Sequence, residues 1–222
     1  MRVWLLPVLM LVGCSESVSE VVAARRGAVE KTFDALRALK LPEPPPGEVK
    51  REAPIHLEGG DVTNAAFIYA DDLAKPGEVA PVPLRSLDSV PLLQCGRLLK
   101  DGTLVDSPFA PKPSIARQYL EACARVRYAF VIQTLEYIAP RPPPAESLKF
   151  VPGSYRARVV VMDLSTHSAL GSYEFAVGND NDIRVPEGTP TVEQLVTNLE
   201  GNAYRGLRAS TNRSVPGALK SK

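Results

Sequence analysis

The sequence predicts an α+β domain: an antiparallel meander of three or four strands with helices packed on one face, preceded by an N-terminal helix. Three observations carry this. Residues 128–138 form a long run of aromatic and β-branched side chains, and 154–164 and 170–177 follow as shorter alternating runs separated by polar turns. Four other stretches repeat their apolar residues at helical spacing. Three consecutive strands with helices set apart from them in the chain make a two-layer α+β architecture.

The first helix is signalled by Ser17-Val18-Ser19-Glu20, a capping box in which the serine and the glutamate satisfy each other's backbone amides. Val18, Val22, Val29, Phe33 and Leu36 then share one face, and the helix is expected to stop near Leu41. Pro42-Glu43-Pro44-Pro45-Pro46-Gly47 cannot be helix interior and reads as an extended, semi-rigid spacer. The first helix is then either a stalk or a docked part of the domain; its apolar face favours docking. Residues 65–70 are a short strand candidate. A helix over 89–100 has Pro91 in its first turn and Gly102 as its stop. Ser114 is the expected cap of a further helix carrying the stripe Ile115, Tyr119, Cys123 and Val126. The last helix starts between Thr189 and Thr191, with Val192, Val196, Leu199, Ala203 and Leu207 on its face.

With 222 residues the chain suits one good-sized domain, and 45% hydrophobic residues supply a core. Lys and Arg number 26 against 25 Asp and Glu, a balance that argues against a nucleic-acid partner. A mean hydropathy of −0.06 excludes a multi-span membrane protein. The expected organisation is a signal segment over 1–13, an anchor, helix and proline spacer over 14–47, a single α+β domain over 48–210 and a flexible tail over 211–222.

The first fourteen residues carry a sorting signal. Arg2 precedes an apolar run over 3–12, too short to span a bilayer and suited to the apolar region of a secretory signal. The run ends in Leu11-Val12-Gly13-Cys14, then turns polar. This junction resembles the lipobox of bacterial lipoproteins. The resemblance implies that Cys14 is acylated, that cleavage occurs before it, and that the protein partners the membrane through an N-terminal lipid. Several acyl chains hold a protein stably where one does not. Ser15 in the second position favours the outer membrane over the inner in a Gram-negative envelope. Cleavage would also remove Trp4, the only tryptophan.

An exported chain enters an oxidising compartment. Cys95 and Cys123 both fall on apolar helix faces, so a disulfide between them is expected. A metal site is not expected: the chain has no CxxC and no HExxH, and its two histidines are His56 and His167. No cofactor is expected either, since phosphate-binding and dinucleotide-binding glycine motifs are missing from the sequence. No catalytic residue is assigned. Asp71-Asp72 would point to opposite faces of a strand. Asn179-Asp180-Asn181-Asp182 lacks the glycine and distal glutamate of a calcium loop. Arg125, Arg127, Arg156 and Arg158 read as a basic strip or, more simply, as a solvent face. The segment Val160-Val161-Met162-Asp163-Leu164 followed by Ser168 to Phe175 resembles the small α+β domains of some envelope lipoproteins, including activators of peptidoglycan synthases. That likeness spans about a quarter of the chain and carries no functional residue across.

These features imply an envelope lipoprotein acting as a non-enzymatic binding, accessory or structural component with an envelope protein partner. The competing readings are a lipid-anchored hydrolase without a sequence motif and a carrier of a small apolar ligand.

Overall fold

The structure is a computed structural model that describes residues 16–49, 54–58, 62–78, 90–105, 107, 109–143, 149–181, 183 and 191–219. The lipobox with Cys14 and Ser15, and Asp182 of the polar turn, lie outside the described residues.

Helix α1 spans Val18–Arg37 and opens with the expected capping box between Ser17 and Glu20. Strand β1 (Ala65–Tyr69) runs into a short 3₁₀ turn, and helices α2 (Val90–Asp101) and α3 (Pro113–Ala124) follow. Strands β2 (Tyr128–Ile138), β3 (Ser154–Asp163) and β4 (Ser168–Gly178) come next, and helix α4 covers Val192–Ser214. Thr191 caps α4, with Gln194 as the reciprocal partner. At α3 the expected cap shifts: Lys112 is the N-cap and Pro113 is the first helical residue, where its missing amide costs nothing.

The fold is α+β, with a four-stranded sheet in the order β1-β2-β3-β4. The sheet is mixed, which corrects the pure meander. Strands β2, β3 and β4 pair antiparallel, but β1 lies parallel to β2, with Ala65 opposite Tyr128 and Tyr69 opposite Ile132. Two helices stand between β1 and β2 in the chain, and a connection of that kind returns the chain to the end from which β1 started. Leu135 and Leu170 are the extra residues at two register shifts.

Helices cover both faces of the sheet, not one. Phe67, Tyr69, Phe130, Ile132, Tyr155, Val159 and Phe175 meet Leu199, Ala203 and Leu207 of α4. On the opposite face Ile68, Ala129, Val131, Val160 and Met162 meet α1, α2 and α3. The reason is in the strands themselves. At Tyr128–Ile132 and Val159–Met162 both alternating sets are apolar and fully buried, and such strands need cover on two sides.

The docking favoured for the first helix is what the structure has, and two further expectations change. Helix α1 is an integral part of the domain: Val21, Val29 and Leu36 are buried, and Arg25 pairs with Glu121 of α3 at 2.6 Å. The proline segment is not a free spacer. Ser172 of β4 donates its backbone amide to the Gly47 carbonyl at 2.8 Å and its hydroxyl to the Pro46 carbonyl at 2.5 Å. Gly171 makes this crossing possible, because a Cβ there would stand 2.3 Å from Val49 Cα. The stretch from 211, read as a flexible tail, is packed as far as residue 219. Helix α4 continues through Ser214, and Val215, Ala218 and Leu219 are buried in the core.

Candidate functional site

The disulfide pair comes together as expected. Cys95 of α2 and Cys123 of α3 stand at disulfide distance, with Cα atoms 6.6 Å apart. Cys95 and Cys123 are both buried at the α1–α3 side of the sheet. On α3 the buried positions are Ala116, Leu120 and Cys123, so the predicted stripe is rotated by one residue and Ile115 is 38% exposed.

The other singled-out residues do not converge. His167 occupies the β3–β4 turn with φ of 53°, a left-handed position that histidine tolerates better than most residues. His56 lies before β1, where its amide binds the Asn64 side chain at 2.8 Å. Asp72 is buried in the 3₁₀ turn whereas Asp71 is exposed. The polar turn after β4 is a structural staple. Asn179 Nδ2 donates to the Leu195 carbonyl at 2.7 Å and Asn179 Oδ1 accepts from the Gly153 amide at 2.8 Å. Asp180 accepts from Asn198 and Asn202, and these donors hold its carboxyl below the usual range. The side chains of Asn179 and Asp180 thus tie the end of β4 to Gly153 and to α4. No cluster of metal-ligating side chains occurs among the described residues.

The arginines are largely neutralised. Arg158 pairs with its cross-strand neighbour Glu174 at 2.6 Å, and Arg156 reaches the same carboxylate at 3.8 Å. Arg127 donates to Asp163 at 2.9 Å, while Ser165 donates both its amide and its hydroxyl to the same carboxylate, at 2.8 and 2.6 Å. Burial by itself would raise the Asp163 pKa; the Ser165 and Arg127 donors outweigh it and hold the carboxyl below its ordinary value. The unfolded chain then binds the extra proton first. The stabilisation from Asp163 is complete above the ordinary carboxylate range and is lost as pH falls through the folded value. Replacement of Asp163 by Asn is expected to cost about 1–2 kcal/mol near neutrality, a charge-assisted value reduced for the exposure of Arg127. Urea unfolding measured from pH 7 to pH 2 should show the gap between wild type and variant closing at the acid end. A gap independent of pH would contradict the assignment.

Three phenols, those of Tyr69, Tyr155 and Tyr173, lie on the α4 side of the sheet. Tyr69 hydrogen-bonds Tyr155, Tyr155 meets the Thr134 hydroxyl at 3.2 Å, and Tyr173 meets Thr211 at 2.6 Å. Burial pushes all three phenols up from their ordinary value. Phenols so raised stay protonated and serve the core as satisfied hydrogen-bonding groups. The alternation along β3 and β4 already puts Tyr155 and Tyr173 on the apolar faces of their strands; what the structure adds is the hydroxyl partner of each.

One cavity is a cleft of about 590 Å³ between α1 and α2, with Pro76, Gly77 and Glu78 also on its wall. This is within the size range of small-molecule and peptide side-chain pockets. Its floor is Phe33. Gly77 and Gly96 meet there backbone to backbone: a Cβ on Gly96 would stand 2.1 Å from the Gly77 carbonyl oxygen. Leu93, Leu99 and Val105 add apolar wall, and Arg26, Arg37, Arg97, Lys100, Glu30 and Glu78 line the rim. Arg26 donates to the Leu99 carbonyl at 2.8 Å, satisfying an acceptor in the last turn of α2 where helix carbonyls lack partners. Arg26 also pairs with Glu30 at 3.3 Å, Arg37 with Asp34 at 2.6 Å and Arg97 with Asp101 at 2.8 Å. Chemically this is a half-open apolar slot with guanidinium and ammonium groups at its edge. It fits an acidic group carried on an apolar body. A second cavity, of about 150 Å³ beside Leu57, Phe67 and Leu219, is below the range that encloses a typical ligand. No described helix is long and apolar enough to cross a membrane.

Comparison with protein-family models, with curated proteins and with solved structures finds no match for this chain.

Proposed function

We propose that the chain is a lipid-anchored, non-enzymatic binding protein of the bacterial envelope, attached through Cys14 and engaging an envelope protein through the α1–α2 cleft. The observation that supports binding over catalysis is the lining of the cleft. Among its described lining residues are cations, two glutamates and an apolar floor, but no hydroxyl, thiol or imidazole. Hydrolytic mechanisms draw on a nucleophile or an activated water with a base held against it. The glutamate on α1, Glu30, is half exposed and occupied by Arg26. An acidic partner segment with one apolar side chain against Phe33 satisfies both the rim and the floor. In a Gram-negative envelope, Ser15 in the second position favours attachment at the outer membrane.

Two measurements on the protein expressed in a bacterial host test this. Intact mass is expected to show an acylated Cys14 at the N-terminus; Cys14→Ser is expected to leave the chain uncleaved and unacylated. A photo-crosslinker at Leu93 is expected to trap one discrete envelope protein. The double charge reversal Arg97→Glu, Lys100→Glu should reduce that adduct by about tenfold, the size of effect typical of a lost charge contact at an interface. An adduct indifferent to the reversal would remove the cleft from the reading. Turnover abolished by a cleft substitution that leaves folding intact would replace binding with catalysis.

A further inference from the structure

The helical layer has one end on which three chain segments meet. Glu16 pairs with Arg117, and nine residues further along α1 Arg25 pairs with Glu121. The two pairs ascend together, so α1 and α3 run in the same sense and start at the same end. Helix α2 runs the other way: Cys123 near the end of α3 stands against Pro91 at the start of α2, whereas Tyr119, one turn earlier on α3, stands against Cys95. The α2–α3 loop therefore sits beside the first turn of α1.

That loop carries Phe109, which is 77% exposed, the most exposed large apolar side chain among the described residues. Ile115, in the first turn of α3, is 38% exposed, and Lys112 between them is exposed. The end's charged groups are close to balance. Arg117 is paired with Glu16 and Arg97 with Asp101; Glu20 caps Ser17. Lys100 and Lys112 carry positive charge there. A surface of this kind, with an aromatic wedge and basic residues beside it, suits the headgroup–acyl boundary of a bilayer.

The position of Cys14 commits this surface to a lipid. Only Ser15 separates Cys14 from Glu16, the first described residue. Ser17 is already the cap of a helix packed into the core. Three residues reach about 10 Å at most. A lipidated Cys14 thus has no tether: the acyl chains enter the bilayer within that distance of the α1 start.

We propose that the end formed by the start of α1, the α2–α3 loop and the start of α3 rests directly on the membrane, with Phe109 inserted at the headgroup level. This deepens the lipoprotein reading and rests on acylation of Cys14. It gives the domain one orientation instead of a free swing on a flexible stalk. Strand β2 leaves from the end of α3 and returns toward this end with Leu135 and Ile138, whereas exposed Val62, before β1, lies at the opposite end beside the start of β2.

The test uses tryptophan, since Trp4 is the only one and leaves with the signal. Phe109→Trp and, as control at the opposite end, Val62→Trp are purified as the processed lipoprotein from membranes. Each is checked by intact mass and by an unchanged unfolding midpoint, and is reconstituted in phosphatidylethanolamine–phosphatidylglycerol vesicles containing brominated acyl chains. Emission from position 109 is expected to shift to the blue and to be quenched several-fold more than emission from position 62. Equal quenching at the two positions in a protein whose mass shows the acyl chains overturns the docking and leaves the lipid anchor standing. A mass without acyl chains overturns both.

Discussion

Ending the chain at Ser210 is expected to lower the free energy of unfolding by about 3–6 kcal/mol. The estimate follows from burial of one valine and one leucine at roughly 1.5–3 kcal/mol each, with a smaller share from an alanine. Val215 and Ala218 belong to the core on the α4 side and Leu219 is buried as well, all at 8% exposure or less. The Ala218 carbonyl also accepts the Leu57 amide at 2.7 Å, and Thr211 is the hydroxyl partner of Tyr173. Truncation therefore opens a cavity, strips a backbone partner from the segment before β1 and leaves a buried phenol unpaired. Urea unfolding of chains ending at 210 and at 219 separates the effects. The longer one should match the full chain. An unchanged midpoint for the shorter one would mean that these contacts carry no stability.

Replacing Cys95 and Cys123 together by serine is expected to cost about 3–4 kcal/mol, on the chain-entropy account of a cross-link closing a loop of this length. The cysteines are 28 positions apart and their Cα separation of 6.6 Å is within bridging range. The bond ties the middle of α2 to the end of α3, the two helices that carry the chain from β1 to β2. Reductant should lower the wild-type midpoint by the same amount and leave the double variant unmoved. Alkylation of the unfolded, unreduced protein should label neither thiol. Labelling of both would show that the pair is buried but unbonded.

Much of the local structure was legible. The capping boxes at Ser17 and Thr191 depend on four consecutive residues, so the helix starts could be read directly. The second of them stood at the edge of the range expected for it. Strand β2 was readable from end to end because aromatic and β-branched residues run unbroken over 128–138. Ser114 misled because Pro113 is a better first residue than a serine is a cap in that place. On α3 the buried face is the one carrying Ala116 and Leu120, in the cluster shared with α1, which leaves Ile115 toward solvent. As for the candidate site, the sequence offered Arg26, Phe33 and Gly96 in separate elements with nothing to join them. Only their assembly makes a cleft.

What the sequence by itself determined is what neighbouring residues decide between themselves: helix caps, strand periodicity, the proline and glycine stops, the lipobox likeness and the apolar faces of Cys95 and Cys123. The α+β class followed from the order of those elements. Tertiary structure alone decided that β1 adds parallel to β2, that helices cover both faces of the sheet, and that the proline segment lies along β4. It also decided that the last residues to 219 close the core. Each of these joins segments tens of residues apart, and each depends on how much apolar surface remains uncovered once the local elements have formed. The strands bury both alternating sets, so one layer of helices could not suffice, and the chain's two ends supplied the rest.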